Sequence, residues 1–403
     1  MILEYFKEIT KIPRCSGNTE KMKEFLVDFA QKQGYKVKTD MYGNILATTN
    51  NPKICFQAHY DMVCIGEYQN IEIIEDNGYL KAKNSTLGAD NGIGIAIMME
   101  LMTKYKDLEF LFTNDEEIGL IGAINLKLHP KSKKLINLDS EDENIYIGCA
   151  GGFDVEIKIP TKRKPYFGEV YQIKIDNLPG GHSGVDIDKN YPNAIKEVVK
   201  QLKDNWTLLS IKGGERRNSI PVNCEALVIS DSKLKFPKIT TKGKIIQNSS
   251  TIIKLLKTLH HGILGYDKKF NVVSQSMNLA IVHDEKIVLS CRANSNEELA
   301  LLKDEIKHLL SFIDCEYKIL DEYPAWKPIE SKLAKDYQKV SNKNLKVIHA
   351  GLEPAILGDF FEEMISVGPN IYEPHSIRER VEIESIKQVY QEIERFLKTL
   401  NMS

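Results

Sequence analysis

Residues 54–61, ICFQAHYD, form an apolar run that ends in a His-x-Asp pair. The run predicts a buried strand, and the alternation of side chains along a strand points His59 and Asp61 to the same side. An Asp that accepts the second ring N–H of a His fixes the tautomer, so the other ring nitrogen can bind a metal. The stretch therefore predicts a strand that ends at a candidate metal ligand.

Four further acidic or His-containing segments follow in the chain, and most of them adjoin apolar, strand-like runs. They are GADNG at 88–92, DEEIG at 115–119, NLDS at 137–140 and EPHS at 373–376. Strand ends of an open α/β sheet meet at one edge, where ligands bind. Two His and three or more carboxylates suit two divalent metals that share a bridging carboxylate and generate hydroxide at neutral pH. The pattern predicts a two-metal hydrolase.

The 403 residues exceed one ordinary core and predict two domains. Strand-like and helical runs alternate up to about Pro160, which predicts an α/β domain with a mostly parallel sheet covered by helices. A polar crossing at 162–165 opens a second set of β and α units, and residues 324–328 return to the first style. We expect a catalytic domain formed by 1–160 and 323–403, with an inserted α+β domain over 161–322.

Composition argues against several classes of protein. The net charge is −2 with Lys and Arg spread along the chain, which argues against a nucleic-acid partner. No apolar stretch of about 18 residues predicts a membrane span, and the N-terminus does not have a signal-peptide pattern. The seven Cys are odd in number and scattered, and Cys55, Cys149 and Cys291 are predicted to be reduced core thiols. We expect a cytoplasmic protein.

Six motifs, in order along nearly the whole chain, resemble the zinc exopeptidases that include aminoacylhistidine dipeptidase, carboxypeptidase G and the aminoacylases. They are QAHYDMV at 57–63, TLGADNGIG at 86–94, FTNDEEIG at 112–119, NLDSEDENIYIGCAGG at 137–152, GGHSGVDI at 180–187 and HAGLE at 349–353. The match is to the aminoacylhistidine dipeptidase branch. The resemblance implies a catalytic domain with two metals, an inserted lid domain, and hydrolysis of dipeptides of the Xaa-His type.

The resemblance also implies a role for each metal-type side chain. Glu116 is the general base, Asp61 supports His59, and the bond between Asp90 and Asn91 is cis. Zinc is the expected metal, although mixed His and carboxylate ligands also admit manganese or cobalt. Taken alone, Asp90 could instead cap a helix and the Glu pair could be a solvated surface. The implied ligands are His59 on one metal, His375 on the other, Asp90 as the bridge, and Glu117 and Asp139 to complete the two sets.

Four residues are implied to contact the small peptide substrate. His182 stabilises the oxyanion when the lid closes, either in its own chain or in the site of a partner subunit. Asn218 and Arg292 are candidates for the substrate carboxylate, which an Arg can bind through two hydrogen bonds. Glu353 is the candidate partner of the substrate amino group, with a simple salt bridge as the alternative. A homodimer through the lid domain is left open.

The chain departs from the family pattern near two of these motifs. After GGHSG the family usually continues Asp-Ile-His and then Gly-Arg, whereas DIDKNYPN at 186–193 has neither that His nor that Arg. HAGLE is followed by Pro354-Ala355 rather than Cys-Gly. These departures leave open a broader dipeptidase, a tripeptidase or an N-acyl amino-acid amidohydrolase. An inactive peptide-binding protein is disfavoured because every metal ligand and the general base are present.

Overall fold

The computed structural model describes residues 1–402, and the chain divides into two compact units. Unit 1 contains Met1–Gly148, Pro328–Val347 and the chain from Leu352 onward, whereas unit 2 contains Cys149–Lys327 and Ile348–Gly351. Unit 2 is therefore a discontinuous insertion in unit 1. The predicted fold class, an α/β domain with an inserted α+β domain, is confirmed.

The secondary structure of the described residues alternates between helices and strands through most of the chain. The helices are α1 (Ile2–Ile9), α2 (Glu20–Lys32), α3 (Ala89–Lys104), α4 (Ile121–Ile124), α5 (Ala194–Val199), α6 (Ser249–Thr258), α7 (Asn296–Ser311), α8 (Lys332–Ser341), α9 (Pro354–Leu357) and α10 (Ile383–Thr399). The strands are β1 (Lys36–Thr39), β2 (Ile45–Thr48), β3 (Ile54–His59), β4 (Ile73–Asp76), β5 (Tyr79–Ala82), β6 (Leu108–Thr113), β7 (Lys134–Asn137), β8 (Ile145–Cys149), β9 (Gly151–Lys158), β10 (Arg163–Ile175), β11 (Thr207–Gly213), β12 (Cys224–Ile229), β13 (Lys238–Ile246), β14 (Gly262–Asp267), β15 (Val272–His283), β16 (Lys286–Ala293), β17 (Glu316–Tyr323), β18 (Leu345–Ile348), β19 (Glu363–Ser366), β20 (Ile371–Tyr372) and β21 (Arg380–Glu382).

The main sheet of unit 1 has the strand order β1-β2-β6-β3-β7-β19-β8-β18. Its central strands β6, β3, β7 and β19 are parallel, whereas β2 pairs antiparallel with β6 and β8 pairs antiparallel with β19. Every residue of β3 and β6 is buried, which requires a covering layer on both faces of the sheet. The predicted mostly parallel, covered sheet therefore describes its centre, and antiparallel strands extend it on both sides.

A second, four-stranded sheet of unit 1 has the order β20-β21-β5-β4. Strand β20 pairs with β21 in antiparallel register, and the chain between these two strands carries EPHS at 373–376. Helix α10 follows directly after β21 and buries one apolar face. The last acidic and His-containing segment is thus held by the pairing of two short strands rather than by the main sheet.

Unit 2 is built on a nine-stranded sheet with the order β13-β10-β12-β11-β15-β16-β9-β17, and β14 adds to β15. Helices α5, α6 and α7 contribute buried apolar residues to the same core as the sheet. The main segment of the unit runs from Cys149 to Lys327, beyond the predicted limits of 161 and 322, and Ile348–Gly351 also belongs to it. The reason is that β9 pairs with β16 and β17, strands from much later in the chain. The predicted crossing at 162–165 also lies at the start of β10 rather than in a linker.

The geometry of one peptide bond and the state of the cysteines bear on the sequence predictions. The predicted cis bond between Asp90 and Asn91 is present. Cys15 and Cys64 form a disulfide that the sequence pattern did not predict, whereas Cys55, Cys149 and Cys291 are buried thiols, as expected. Among the described residues, no helix has the length and apolar character needed to cross a membrane.

Candidate metal centre

His59 and Asp61 sit at the end of β3, as the sequence predicts for a His-x-Asp pair. The His59 side chain is almost fully buried, and its Nδ1 lies 3.4 Å from Asp61 Oδ1. Its Nε2 faces two other carboxylates, at 3.1 Å from Asp90 Oδ1 and 3.3 Å from Asp139 Oδ1. Asp90 lies in the first turn of α3, and Asp139 follows β7. Three strand and helix ends therefore meet at one ring nitrogen.

His375 approaches the same Asp90 from the segment after β20. Its Nε2 lies 3.0 Å from Asp90 Oδ2 and 2.9 Å from Glu117 Oε2, while about half of the His375 side chain is exposed. Asp90 thus turns one carboxylate oxygen towards each His. This is the arrangement that a bridging carboxylate requires, because each of its oxygens must reach a different ion.

Three groups of ligand-type atoms in unit 1 lie close enough to share an ion, with all atoms of a group within 4.8 Å of one another. Two of the groups share Asp90 and the third contains Glu116. The structure therefore brings together all five residues predicted as ligands, and the predicted base beside them. The groups are His59 with Asp90 and Asp139, Asp90 with Glu117 and His375, and His59 with Glu116 and Glu117.

The chemistry of these donors fits divalent cations. Each His Nε2 faces two carboxylate oxygens, but a ring proton on that nitrogen can be directed at only one of them. Glu117 Oε1 is buried and has no hydrogen-bond partner within residues 1–402. Neighbouring ligands about 2.0–2.2 Å from an ion come within about 3 Å of each other, as these N and O atoms do. Burial would lower the pKa of His375, but Asp90 and Glu117 raise it to about 11, so this cluster favours positive charge at the His375 ring.

Asp61 organises the loop that carries the Glu pair. Its Oδ1 accepts a hydrogen bond from the Glu116 amide at 3.0 Å, and its Oδ2 accepts from the Glu117 amide at 3.2 Å. The Ser16 hydroxyl donates to the same Oδ2 at 2.7 Å. Burial alone would raise the pKa of Asp61, but the hydrogen bonds from His59 and Ser16 lower it below its usual value. Asp61 therefore stays ionised and supports both His59 and the Glu pair.

Glu116 lies in a buried, acidic environment. Burial raises the pKa of its carboxyl well above the usual value, the positive charge of His59 opposes this, and the carboxylates of Glu117 and Asp139 add to it. Divalent cations among the same carboxylates would lower this pKa again. Burial and cations thus shift the pKa of this carboxyl in opposite directions. A carboxyl whose pKa is held near neutrality in this way suits proton transfer at neutral pH.

Glu353 is also in unit 1, and its Oε1 is buried without a hydrogen-bond partner among the described residues. It is fully buried, and its Oε2 accepts hydrogen bonds from Gln57 Nε2 and the Thr113 hydroxyl. Burial raises the pKa of Glu353 to about 7. Its predicted contact with a substrate amino group stays a prediction.

The structure adds two buried charged residues, Arg14 and Glu379, that the sequence did not single out. Arg14 donates to the main-chain carbonyls of Asp61 and Gly88, and Glu379 accepts from the amides of residues 87–90. Both act on the backbone of a ligand segment rather than on a ligand side chain. Their only sequence signal is position, since Glu379 stands four residues after His375 and Arg14 just before the Ser16 that supports Asp61.

The residues of unit 2 that are predicted to contact the substrate form a cluster within that unit. His182 Nδ1 accepts from the amides of Gly184 and Val185, both at 3.2 Å, which leaves the ring proton on Nε2. The Ser183 amide donates to the main-chain carbonyl of Asn218 at 2.8 Å. A side chain at Gly184 would come within 3.2 Å of Arg292 Nε. His182, Asn218 and Arg292 thus meet at one loop.

Arg292 is buried and only partly hydrogen-bonded. Its Nη1 donates to the Tyr323 hydroxyl at 2.7 Å, whereas its Nε has no hydrogen-bond partner in the part of the chain that the structure describes. His349 lies close to it. Burial and then the charge of Arg292 lower the pKa of His349 to about 3, so this His is neutral. Its Nδ1 bonds the Asn294 side-chain oxygen at 3.0 Å and its Nε2 the Ser276 hydroxyl at 2.7 Å.

Several known proteins are similar to this chain. The model of peptidase family M28 matches residues 41–152. The cytosol non-specific dipeptidase of Escherichia coli is 30% identical over 98% of this chain and 97% of that protein. The aminoacylhistidine dipeptidase of Vibrio alginolyticus matches in structure with a TM-score of 0.80 and 26% identity, over 99% of this chain and 96% of that one. A tripeptidase from Staphylococcus aureus shares the fold, with a TM-score of 0.62 and 17% identity over 99% of this chain and 97% of the other.

Proposed function

We propose that this chain, which belongs to the metallopeptidase family of the cytosol non-specific dipeptidase, hydrolyses dipeptides at a centre of two divalent metal ions. The chain is a metallo-exopeptidase, a hydrolase that acts on peptide bonds of small peptides. The observation that carries the two-metal proposal is Asp90, whose two oxygens face two different His at 3.1 and 3.0 Å. A carboxylate that bound a single cation would not need to direct its two oxygens at two different His side chains.

The proposed ligand sets follow from the same distances. Asp90 belongs to both sets, and the two metal ions are of one class, most simply zinc, with manganese or cobalt as chemically suitable alternatives. When bound, the ions polarise the scissile carbonyl and lower the pKa of water enough to make it a nucleophile. One set is His59, Asp90 and Asp139, and the other is His375, Asp90 and Glu117.

The protein side chains then carry the proton and hold the substrate. Glu116 accepts a proton from the attacking water and delivers it to the leaving amine, which requires a carboxylate that can exist in both states near neutral pH. Asp61 keeps His59 in one tautomer and fixes the amides of Glu116 and Glu117. We propose that the Nε2–H of His182 donates to the oxyanion of the tetrahedral intermediate.

The substrate carboxylate is the proposed ligand of Arg292 and Asn218. Arg292 Nε is a buried donor with no acceptor in the described residues, and a carboxylate would provide one. Xaa-His dipeptides are the finer proposal, in line with the name of the Vibrio alginolyticus protein. Broader dipeptide cleavage is the second candidate. It is favoured by the DIDKNYPN stretch after His182 and by the name of the Escherichia coli relative.

The test is a panel of initial rates with metal-reconstituted protein. The substrates are carnosine, Gly-His, Ala-Ala, Leu-Gly-Gly and N-acetyl-methionine, each with and without a chelator. Chelator-sensitive cleavage that is fastest for the His-containing dipeptides supports the finer proposal, and equal or faster cleavage of Ala-Ala supports the broader one. Chelator-insensitive cleavage, or no dipeptide cleavage with two metals bound, contradicts the proposed function. We also propose a cytoplasmic location, as the relative's name suggests, while a homodimer stays a prediction.

A further inference from the structure

The segment that carries Asp90 has its backbone hydrogen-bonded by a buried carboxylate. Glu379 is 2% exposed, and each of its two oxygens accepts two main-chain N–H groups. Oε2 accepts from Leu87 at 2.7 Å and Gly88 at 2.9 Å, and Oε1 accepts from Ala89 at 2.7 Å and Asp90 at 3.3 Å. Four successive amides therefore converge on one charged side chain at the start of α3, where amides are otherwise without partners.

A buried cation binds a main-chain carbonyl of the same segment. Arg14 is 1% exposed; its Nη2 donates to the Gly88 carbonyl at 2.6 Å, and its Nη1 donates to the Asp61 carbonyl at 3.2 Å. One guanidinium thus ties the chain after His59 to the chain before Asp90. Gly88 and Gly92 pack closely against it, because a Cβ at either position would lie 2.7 or 2.6 Å from Arg14 Nη2.

The placement of Glu379 links the two His-bearing halves of the centre. The Glu379 amide donates to the Ser376 carbonyl at 3.1 Å, so residues 376–379 form a turn directly after His375. The same short segment therefore supplies one candidate ligand of the second set and fixes the backbone of the shared ligand. If residues 87–90 moved away from Glu379, the Asp90 oxygens would move relative to His375, which directly precedes the turn that holds Glu379. They would also move relative to His59, which ends β3.

We infer that Glu379 and Arg14 are positioning residues for the metal centre. Together they hold the backbone of residues 87–90 so that Asp90 presents one oxygen to His59 and the other to His375. The inference rests on the proposed two-metal site. It assigns these residues no contact with substrate or with the ions. They act through Asp90, in the way that partners of metal ligands orient those ligands.

The alternative is that Glu379 only stabilises the fold, and the chain contains a matched control for it. Glu109 is also a fully buried carboxylate that accepts main-chain amides, from Lys131 and Ser132, together with the Thr48 hydroxyl. It lies near the start of β6, whereas Glu116 follows the end of that strand. Loss of Glu109 should therefore weaken unit 1 without affecting Asp90.

The experiment compares the wild type with E379Q, E109Q and R14K, using Zn²⁺ and Co²⁺ alone as probes of the metal-free proteins. Three quantities are measured: the number of ions bound and their dissociation constants by chelator competition, the visible spectrum of bound Co²⁺, and thermal unfolding without metal. We expect E379Q to bind Zn²⁺ at least about tenfold more weakly, with a changed Co²⁺ spectrum. R14K, which keeps the charge but not the two-pronged geometry, should shift both readouts less. E109Q should unfold at lower temperature with unchanged metal affinity and spectrum.

Two results would overturn the inference. One is an E379Q protein with wild-type affinity and Co²⁺ spectrum, and the other is an E109Q protein that loses as much affinity as E379Q. If E379Q does not fold without metal, R14K decides, and wild-type metal binding by R14K then counts against the inference. Failure of the proposed function is a separate outcome, because it would appear as fewer than two ions bound by the wild type.

Discussion

The polar clusters of unit 1 and unit 2 shift the pKa values of their His residues in opposite directions. In unit 1, carboxylates overcome the effect of burial and raise the pKa of His59 well above its usual value and that of His375 to about 11. In unit 2, burial and then the charge of Arg292 lower the pKa of His349 to about 3. The first cluster therefore has excess negative charge and suits cations, whereas the second contains a buried cation, Arg292, whose Nε has no acceptor within residues 1–402 and can take an anion. This difference underlies the proposed division between metal binding in unit 1 and recognition of a substrate carboxylate in unit 2.

Removing the base of unit 1 should have the largest effect. Glu116→Gln keeps the shape and its place beside the ligands but cannot accept a proton. We expect kcat to fall by about 10²- to 10⁴-fold while two ions stay bound. Steady-state kinetics on a dipeptide together with metal analysis of the same sample check this. A variant that keeps near wild-type turnover would contradict the role of Glu116.

Changing the cation of unit 2 should affect substrate binding and leave the metal centre unchanged. Arg292→Lys keeps the charge but loses Nε and the planar fork, so we expect kcat/KM for dipeptides to fall about tenfold to a hundredfold, mainly through KM. An amide-blocked dipeptide is the control, because it has no carboxylate for Arg292 to bind and its rate should hardly change. Equal losses on both substrates, or loss of metal, would remove the distinction between the two clusters.

The neutral His of unit 2 should make a smaller contribution, visible in the pH dependence of stability. Because the pKa of His349 is about 3 in the folded protein and about 6.5 when unfolded, the unfolded chain binds the extra proton between these values. The folded state therefore loses stability as pH falls from about 6.5 towards 3. His349→Gln should be less stable at neutral pH but show a shallower decline in that window. Denaturant unfolding of both proteins across the window checks this, and parallel curves would be the contrary result.

How far the sequence predicts the molecule differs between the two units for a physical reason. His59, Glu117 and Asp139 come soon after buried strands, and parallel strands bring their ends together, so the unit 1 centre could be located from local patterns. The limits of unit 2 could not, because β9 begins only two residues after β8 ends and only its pairing with β16 and β17 assigns it to unit 2. A local sequence pattern shows where a strand ends but not which strands pair with it.

The residues that the sequence did not reveal act over long separations or on the backbone. Glu379 stands 289 residues from Asp90 and bonds main-chain amides, which leave no trace in residue type. Cys15 and Cys64 are 49 residues apart and have no spacing that marks them as a pair. His182, Asn218 and Arg292 could be named only through family resemblance, since a Gly-rich loop and single charged residues predict no specific ligand.

A titration of metal-free protein with Zn²⁺, which counts the bound ions in the wild type and in three ligand variants, tests the shared role of Asp90. We expect two ions for the wild type, loss of both together in Asp90→Asn, and weakening of a single site in Asp139→Asn and in Glu117→Gln. One ion in the wild type, or two tightly bound ions in Asp90→Asn, would contradict a centre built on a shared Asp90.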